Sequence, residues 1–275
     1  MEPHLIEDCK HWIIPNTDWK IYGFSQAANK TGFAIFSLKI FFDAGLPSQK
    51  SPSIILLTHS HSDHSFNIPC LAMGQGNRCP VYCPVEMEQP LRLLCRASQS
   101  LNDCIELTNK EQVNTIGVQP DEIINYKKIK IKVIKCHHSV PTVGFILSTT
   151  KNSLKEEYKK LTGKEIGQLR KSGVEVSNKV EVNKLVFLGD TTITVFDNPE
   201  VLKSSVIFVE CTIIDDNVSP EETFERGHIH WKQLRPIIEE NPNNYFVLIH
   251  LSKRYKRDYI ETFFKDINLK NFMVW

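Results

Sequence analysis

An α/β fold is predicted by three features of the sequence. Five short apolar runs each end near a residue of ligand or acid–base type: Leu57 before His59, Val133 before His138, Leu188 before Asp190, Val209 before Glu210 and Ile249 before His250. Between them lie stretches with helical rather than alternating periodicity, at 85–98 and 228–239. The chain, 275 residues with 41% hydrophobic content, is long enough to bury a sizeable core. In α/β sheets polar chemistry collects beyond the carboxyl ends of strands, where loops are free and the sheet is rigid. The five marked residues are therefore expected to converge, although positions 59 and 250 stand far apart in sequence.

Taken in order, the first sixty residues read as strands at 21–24, 33–38, 40–43 and 54–58 between Gly, Asn and Pro turns, which predicts a twisted, mostly antiparallel sheet. The apolar run 54–57 leads straight into His59, His61, Asp63 and His64. On an extended backbone i and i+2 share a face, so His59 and His61 can grip one ion. Asp63 and His64, past the strand end, can be aimed at a second. Neutral imidazole and carboxylate suit zinc, and also iron or manganese. Asp43, closing the run 40–42, reads on its own as a turn residue.

Pro84 opens a predicted helix over 85–98, with Leu91, Leu94 and Cys95 at i, i+3 and i+4. The segment 127–135 alternates lysine with Ile and Val; its five cations fit either a solvated strand face or a phosphate-facing stripe. It ends in Cys136, His137 and His138, one of the two histidines being a candidate ligand, and a strand at 145–148 follows. The stretch 151–184 carries nine cations against five acids, with helical pattern around 154–161 and 165–171. It interrupts two core strands and is expected to form an inserted arm. Strands at 184–188 and 205–209 deliver Asp190 and Glu210. Ser219, Pro220 and Glu222 then make a capping box closed by Gly227, a helix runs over 228–239, and a strand at 245–249 delivers His250.

A formal charge of +1 gives no global polyanion signal, so contacts with nucleic acid must come from local patches. Eight cysteines without tight paired spacing read as free thiols of a reducing cytosol, and Cys79 and Cys83 as packing residues. The acidic segment 1–10 does not read as a secretory or transit leader. No apolar run approaches the roughly twenty residues needed to cross a bilayer, so no membrane partner is expected.

The His-x-His-x-Asp-His run behind a strand resembles the signature of the metallo-β-lactamase-fold hydrolases. Glu210 followed by His228, the segment Gly227-His228-Ile229-His230 and the stretch 248–255 around His250 narrow this further. Over about residues 20–260 the chain resembles the ribonuclease Z family, above all its short plant-type members. The resemblance implies a four-layer αββα sandwich with a protruding helical arm, one domain over 1–275 with 151–184 as the substrate-binding arm. It further implies a zinc-dependent endoribonuclease that removes the 3′ trailer of precursor tRNA with a metal-bound hydroxide, as a homodimer in the cytoplasm.

The family pattern selects His138, six residues before Gly144 and Phe145, and gives Asp43 the task of ordering the metal loop. Two zinc ions (with manganese or iron possible) would sit on His59, His61 and His138 and on Asp63, His64 and His250, bridged by Asp190. Asp63 would orient or deprotonate the attacking water. His228, held by Glu210, would protonate the leaving 3′-oxygen or stabilise phosphate charge. Lys253 and Arg254 are candidate phosphate contacts, and His230 reads as a helix-surface histidine or as support behind the ligands. The Arg-Asn pair that many bacterial-type members carry is absent from 25–32. The rival readings are another hydrolase of this fold acting on a small phosphodiester or thioester, and a catalytically silent RNA-binding relative.

Overall fold

In chain order the first seven strands build one sheet: β1 (Lys10–Ile13), β2 (Lys20–Gln26), β3 (Lys30–Ile35), β4 (Ile40–Phe42), β5 (Ile54–Leu56), β6 (Pro80–Pro84) and β7 (Asn114–Val118), hydrogen-bonded in that order. Its helices are α1 (Ser62–Ser65), α2 (Ile68–Met73) and α3 (Glu88–Asp103). The next seven build the second sheet, again in sequence order: β8 (Ile123–Tyr126), β9 (Ile129–Cys136), β10 (Thr142–Leu154), β11 (Ser177–Phe187), β12 (Val206–Glu210), β13 (Tyr245–Ile249) and β14 (Phe272–Val274). With them come α4 (Gly163–Lys171), α5 (Pro199–Leu202), α6 (Pro220–Glu225), α7 (Trp231–Glu240) and α8 (Arg257–Phe264). The computed structural model describes residues 6, 9–73, 79–107, 109–110 and 113–275. Of the acidic 1–10 stretch, positions 1–5, 7 and 8 lie outside the described residues.

The side-chain alternation of the strands assembles four layers. Phe33, Ile40, Phe42, Ile54 and Leu56 of the first sheet meet Val133, Phe145, Phe187, Phe208 and Val247 of the second in one buried core. Their neighbours in sequence point the other way: Ala34, Phe41, Ile55 and Val81 pack under α2 and α3, while Val186, Ile207, Val209, Phe246 and Leu248 pack under α7 and α8. Strands covered on both faces need apolar residues at every position, which is why β4, β5 and β12 read as continuous apolar runs rather than alternating ones.

The strands of the first sixty residues pair antiparallel from β1 to β4, as expected, and β5 joins parallel to β4; beyond them β6 and β7 extend the sheet in parallel, because the links between them cross over through loops and helices. Several expectations are corrected here. On α3 the buried line is Leu91 and Cys95, while Leu94 lies 40% exposed on the flank. The stretch 151–184 is strand before it is helix: β10 and β11 stay paired out to Leu154 and Ser177, past a register shift at Leu147/Ser148. That bulge lies where buried pairing gives way to an exposed ribbon. The ribbon bears α4, whose capping box joins Thr162 and Glu165; of the expected 154–161 helix there is only a 3-10 turn at Glu156–Tyr158. Helix α7 begins three residues later than expected, because His230 is its N-cap. Ser219 caps α6 by accepting from Glu222 N–H, but the Glu222 carboxylate pairs with Arg226 instead of completing the box.

The lysines of 127–135 mostly have structural partners. Lys130 pairs with Glu181 at 2.8 Å and Lys132 with Asp121 at 3.2 Å, and Lys127 donates to the Leu38 carbonyl. Cys79 and Cys83 are buried, and burial pushes both thiols up to about 12, in keeping with packing. Among the described residues no helix is long and apolar enough to cross a membrane.

Candidate metal centre

Four of the five apolar runs end at one edge of the sandwich, and the fifth, β9, turns there through 137–141. The first sheet brings His59 and His61 just after β5 and Asp63 and His64 on α1. From the second sheet come His138 after β9, Asp190 after β11 and His250 after β13. Donor atoms of His59, His61, His138 and Asp190 lie within 4.8 Å of one another, as do those of Asp63, His64 and His250. Asp190 spans both groups: its carboxylate stands 3.7 Å from His59 Nε2, 3.8 Å from His138, 3.5 Å from His64 and 3.3 Å from His250. His137, one residue from the cluster, faces away and shares a hydrogen bond with Thr194.

The hydrogen bonds behind the ring determine what the histidines present. His138 Nδ1–H donates to the Gly227 carbonyl at 2.8 Å, and His64 Nδ1–H to the Asp43 carboxylate at 2.8 Å. Thr58 Oγ1–H is spent on Asp43, so toward His59 it accepts, from Nδ1–H at 3.0 Å. His250 Nδ1–H donates to Thr212 Oγ1 in the same way, because that hydroxyl proton goes to Glu210 or to the His250 carbonyl. Four imidazoles thus turn the Nε2 atom inward. His59 Nε2 is fully buried with no hydrogen-bond partner, and the Nε2 atoms of His64 and His250 face each other at 3.2 Å. Buried acceptor nitrogens are costly unless something electropositive sits between them, and this donor set of imidazole and carboxylate is the one that borderline divalent metals take. The residues fit a metal.

Electrostatics agree. Burial and the neighbouring His64 hold His59 well below its ordinary value, and burial also lowers His138, so both stand neutral in the ligand form. Burial would do the same to His64, but Asp190, Asp43 and Asp63 outweigh it and raise it to about 9. Burial likewise opposes ionisation of Asp63 and Asp190, yet the histidines around them hold both below the usual carboxylate range. The site favours a cation.

Asp43 does more than turn the chain: buried, at φ 56°, it accepts from Thr58 N–H at 2.8 Å as well as from Thr58 Oγ1 and His64. Asp63 is held by the N–H of Ala28 at 2.9 Å, so the hairpin tip between β2 and β3 reaches the site through its backbone, without the Arg-Asn pair. No residue pattern announces this contact, since a backbone donor carries no residue signature.

Beside the cluster, His228 Nδ1 donates to Glu210 Oε1 at 2.8 Å. Glu210 is buried at the end of β12 and also accepts from Thr191 N–H, Thr212 Oγ1–H and Ile229 N–H. Burial lowers His228, but Glu210 and then Asp190 more than reverse it, and the imidazole is raised to about 9. Its ring stacks 5.7 Å from that of His250, and it forms a third close donor group with Asp190 and His250. His230 is not on a helix surface: it is fully buried, accepts from Lys232 N–H and donates to the Asp215 carbonyl, away from the cluster. A cavity of about 470 Å³ opens over the site, lined by Asp63, Asp190, His228 and His250 and by the exposed cations Arg226, Lys253 and Arg254. Arg226 was not expected from the sequence; its place one residue before Gly227 was the available cue.

The family model for the beta-lactamase superfamily domain matches residues 42–251. The tRNase Z TRZ1 of Arabidopsis thaliana is 31% identical over 253 residues, a span that covers 88% of this chain and 89% of that relative. The chain belongs to the tRNase Z family of the beta-lactamase superfamily. Among solved structures, the metallo-beta-lactamase fold protein YhfI of Bacillus subtilis is similar at a TM-score of 0.59 and 16% identity, covering 92% of this chain and 94% of that one. Human tRNase Z, short form, is similar at a TM-score of 0.54 and 16% identity, covering 86% of this chain and 93% of that one. At such identities the likeness concerns the fold alone, and it is the expected metallo-β-lactamase fold.

Proposed function

We propose that this protein is a metal-dependent endoribonuclease that removes the 3′ trailer from precursor tRNA. One observation carries the reading: His228, backed by buried Glu210, and the cationic residues Arg226, Lys253 and Arg254 open onto the same cavity as the His/Asp donor cluster. A hydrolase of small neutral substrates has no use for three cations there, whereas an RNA backbone does. Kinship with the Arabidopsis tRNase Z supports the substrate.

In this reading His59, His61 and His138, with Asp63, His64 and His250 and with Asp190 beside both groups, would hold two zinc ions, or manganese or iron. When bound, such ions lower the pKa of water and neutralise phosphate charge. Asp63, kept ionised and fixed by Ala28 N–H, is a weak proton acceptor and serves to orient the attacking water. His228, protonated through Glu210, gives its proton to the leaving 3′-oxygen of the tRNA. The ribbon of 151–184 is the substrate-binding arm of a single catalytic domain, with α4 and its flanking cations reaching toward the folded tRNA. A homodimer fits the apolar side chains that α3 leaves exposed, Leu93, Leu94 and Leu101. Eight cysteines without a disulfide suit the cytoplasm.

The test is direct. Purified protein incubated with a trailer-bearing precursor tRNA should release mature-length tRNA with a 3′-hydroxyl and a 5′-phosphorylated trailer. Metal analysis should return about two transition-metal ions per chain, and chelation should stop the reaction until metal is restored. An intact precursor in the presence of zinc or manganese would sink the proposal.

A further inference from the structure

A second, larger cavity of about 1110 Å³ is lined by His138, a member of the donor cluster, and by Gly227, and it shares no lining residue with the cationic recess. Its character is different. It contains Phe224, 42% exposed on the short helix α6, and Val85, 39% exposed. Its charged lining is mostly acidic, Glu86, Asp197 and Glu225 against Lys135. His137 and Thr194 enter it together, joined at 2.7 Å. A groove with that balance of charge is unsuited to a phosphate backbone. It suits a nucleobase, whose flat face stacks on an aromatic ring and whose exocyclic amino groups donate to carboxylates.

Phe224 is tied to the reaction centre by two hydrogen bonds in series. Gly227 N–H donates to the Phe224 carbonyl at 2.9 Å, and the Gly227 carbonyl accepts from His138 Nδ1–H at 2.8 Å. The chain can pass this close only as glycine: residue 227 has φ +78°, and a Cβ there would stand 2.8 Å from His138 Nδ1. The backbone of residue 224 is therefore tied to a cluster histidine, and its exposed ring lines the groove, whereas Arg226 and Lys253 line the cationic recess.

We propose that this groove holds the first trailer nucleotides, with Phe224 as the stacking platform for a base next to the scissile phosphate and His137 with Thr194 as polar partners of the base edge. The side is assigned by His228, which lines the cationic recess. The oxygen it protonates belongs to the retained tRNA, so the retained end occupies that recess, and the departing nucleotide keeps its phosphate at the donor cluster while its base turns into the groove. The inference rests on the proposed endonuclease reading.

The experiment uses the full chain with its metal and two precursor tRNAs, one with an ordinary trailer and one with an abasic first trailer nucleotide. Phe224→Ala should lower kcat/KM on the ordinary precursor by about five- to a hundredfold, the usual range for a lost base–aromatic stack, with metal content unchanged. Phe224→Trp should keep most of the rate and Phe224→Leu, apolar but not aromatic, should not. The abasic trailer should cost wild type a similar factor, and the two changes together should cost no more than either alone. Additive losses, or full activity of Phe224→Ala on a precursor that wild type cuts, would overturn the groove assignment and leave the nuclease reading standing. A wild-type protein that cuts neither precursor would overturn both.

Discussion

The donor cluster and the β10–β11 ribbon are parts of one chain built on opposite rules. Around the metal centre nearly every polar atom is buried and answered: Asp43 by Thr58 and His64, Glu210 by Thr191, Thr212, His228 and Ile229, His138 by Gly227. Beyond Thr149 the ribbon buries only Val176, and its ion pairs, Lys130 with Glu181 and Lys159 with Glu156, lie exposed on the surface. Exposed pairs contribute little to stability. Precision is thus concentrated where chemistry would occur, and the ribbon is free to vary in its contacts without disturbing the site.

Removing Asp190, proposed as the shared ligand, should have the largest effect. Asp190→Ala removes a carboxylate within 4 Å of four histidines, and should reduce both metal content and cleavage by more than the roughly 10–100-fold that loss of an outer partner costs. Full metal loading in this variant, by elemental analysis, would refute the donor assignment. Next comes His228→Ala, expected to slow cleavage by about 10²–10⁴-fold, the scale of lost acid–base help, while metal is retained. Because His228 also stands near Asp190 and His250, metal loss matching that of Asp190→Ala would make it a ligand instead.

Asp43→Asn sharpens the comparison from behind the ligands. It weakens the acceptor of Thr58 and His64, and should lower metal affinity by about 10–100-fold with a modest loss of thermal stability. An unchanged affinity in a chelator titration would show that Asp43 only shapes the turn. On the other side of the comparison, replacing 155–176 by a short Gly/Ser turn between the paired Leu154 and Ser177 should leave metal content intact. It should raise KM for precursor tRNA about tenfold and flatten its salt dependence, since phosphate contacts are lost. Unaltered precursor kinetics would remove the arm from substrate binding.

The smallest effect concerns pH. In metal-stripped protein His228 should titrate near 9, above the unfolded value of 6.5. Its contribution to stability is then full below pH 6.5 and fades as pH rises through 9. Glu210→Gln should bring the imidazole titration, followed by NMR, down toward 6.5 and remove that slope. A value still near 9 would mean that another group holds the proton.

The strands and the cluster were legible because each is written locally. A run such as 54–57 ends in donors whose spacing states their side of the chain, and β5, β12 and β13 lie where such runs predict. What could not be read was set by partners distant in sequence. His230 reads as a helix-surface histidine or as support behind the ligands, yet its buried hydrogen bonds with the Asp215 carbonyl and Lys232 N–H make it a helix cap. The reach of Ala28 N–H to Asp63 depends on where a hairpin lands, and the strand ends within 151–184 could not be read, though its helix at 165–171 could, because their charged residues mask a pairing that only the partner strand completes.

Among the described residues the sheets are collinear with the chain: seven strands, then seven strands, with only residues 119–122 between β7 and β8. The molecule can therefore be regarded as two lobes laid face to face, each folded from its own uninterrupted half of the sequence. His59, His61, Asp63 and His64 belong to one lobe, His138, Asp190 and His250 to the other. A cation gripped by both would work as a clasp on their seam, so that sliding of one lobe against the other would be felt first by these side chains. A chain severed between 119 and 122 would leave two fragments with complete sheets and half a clasp each, and recovered metal binding would report their reunion.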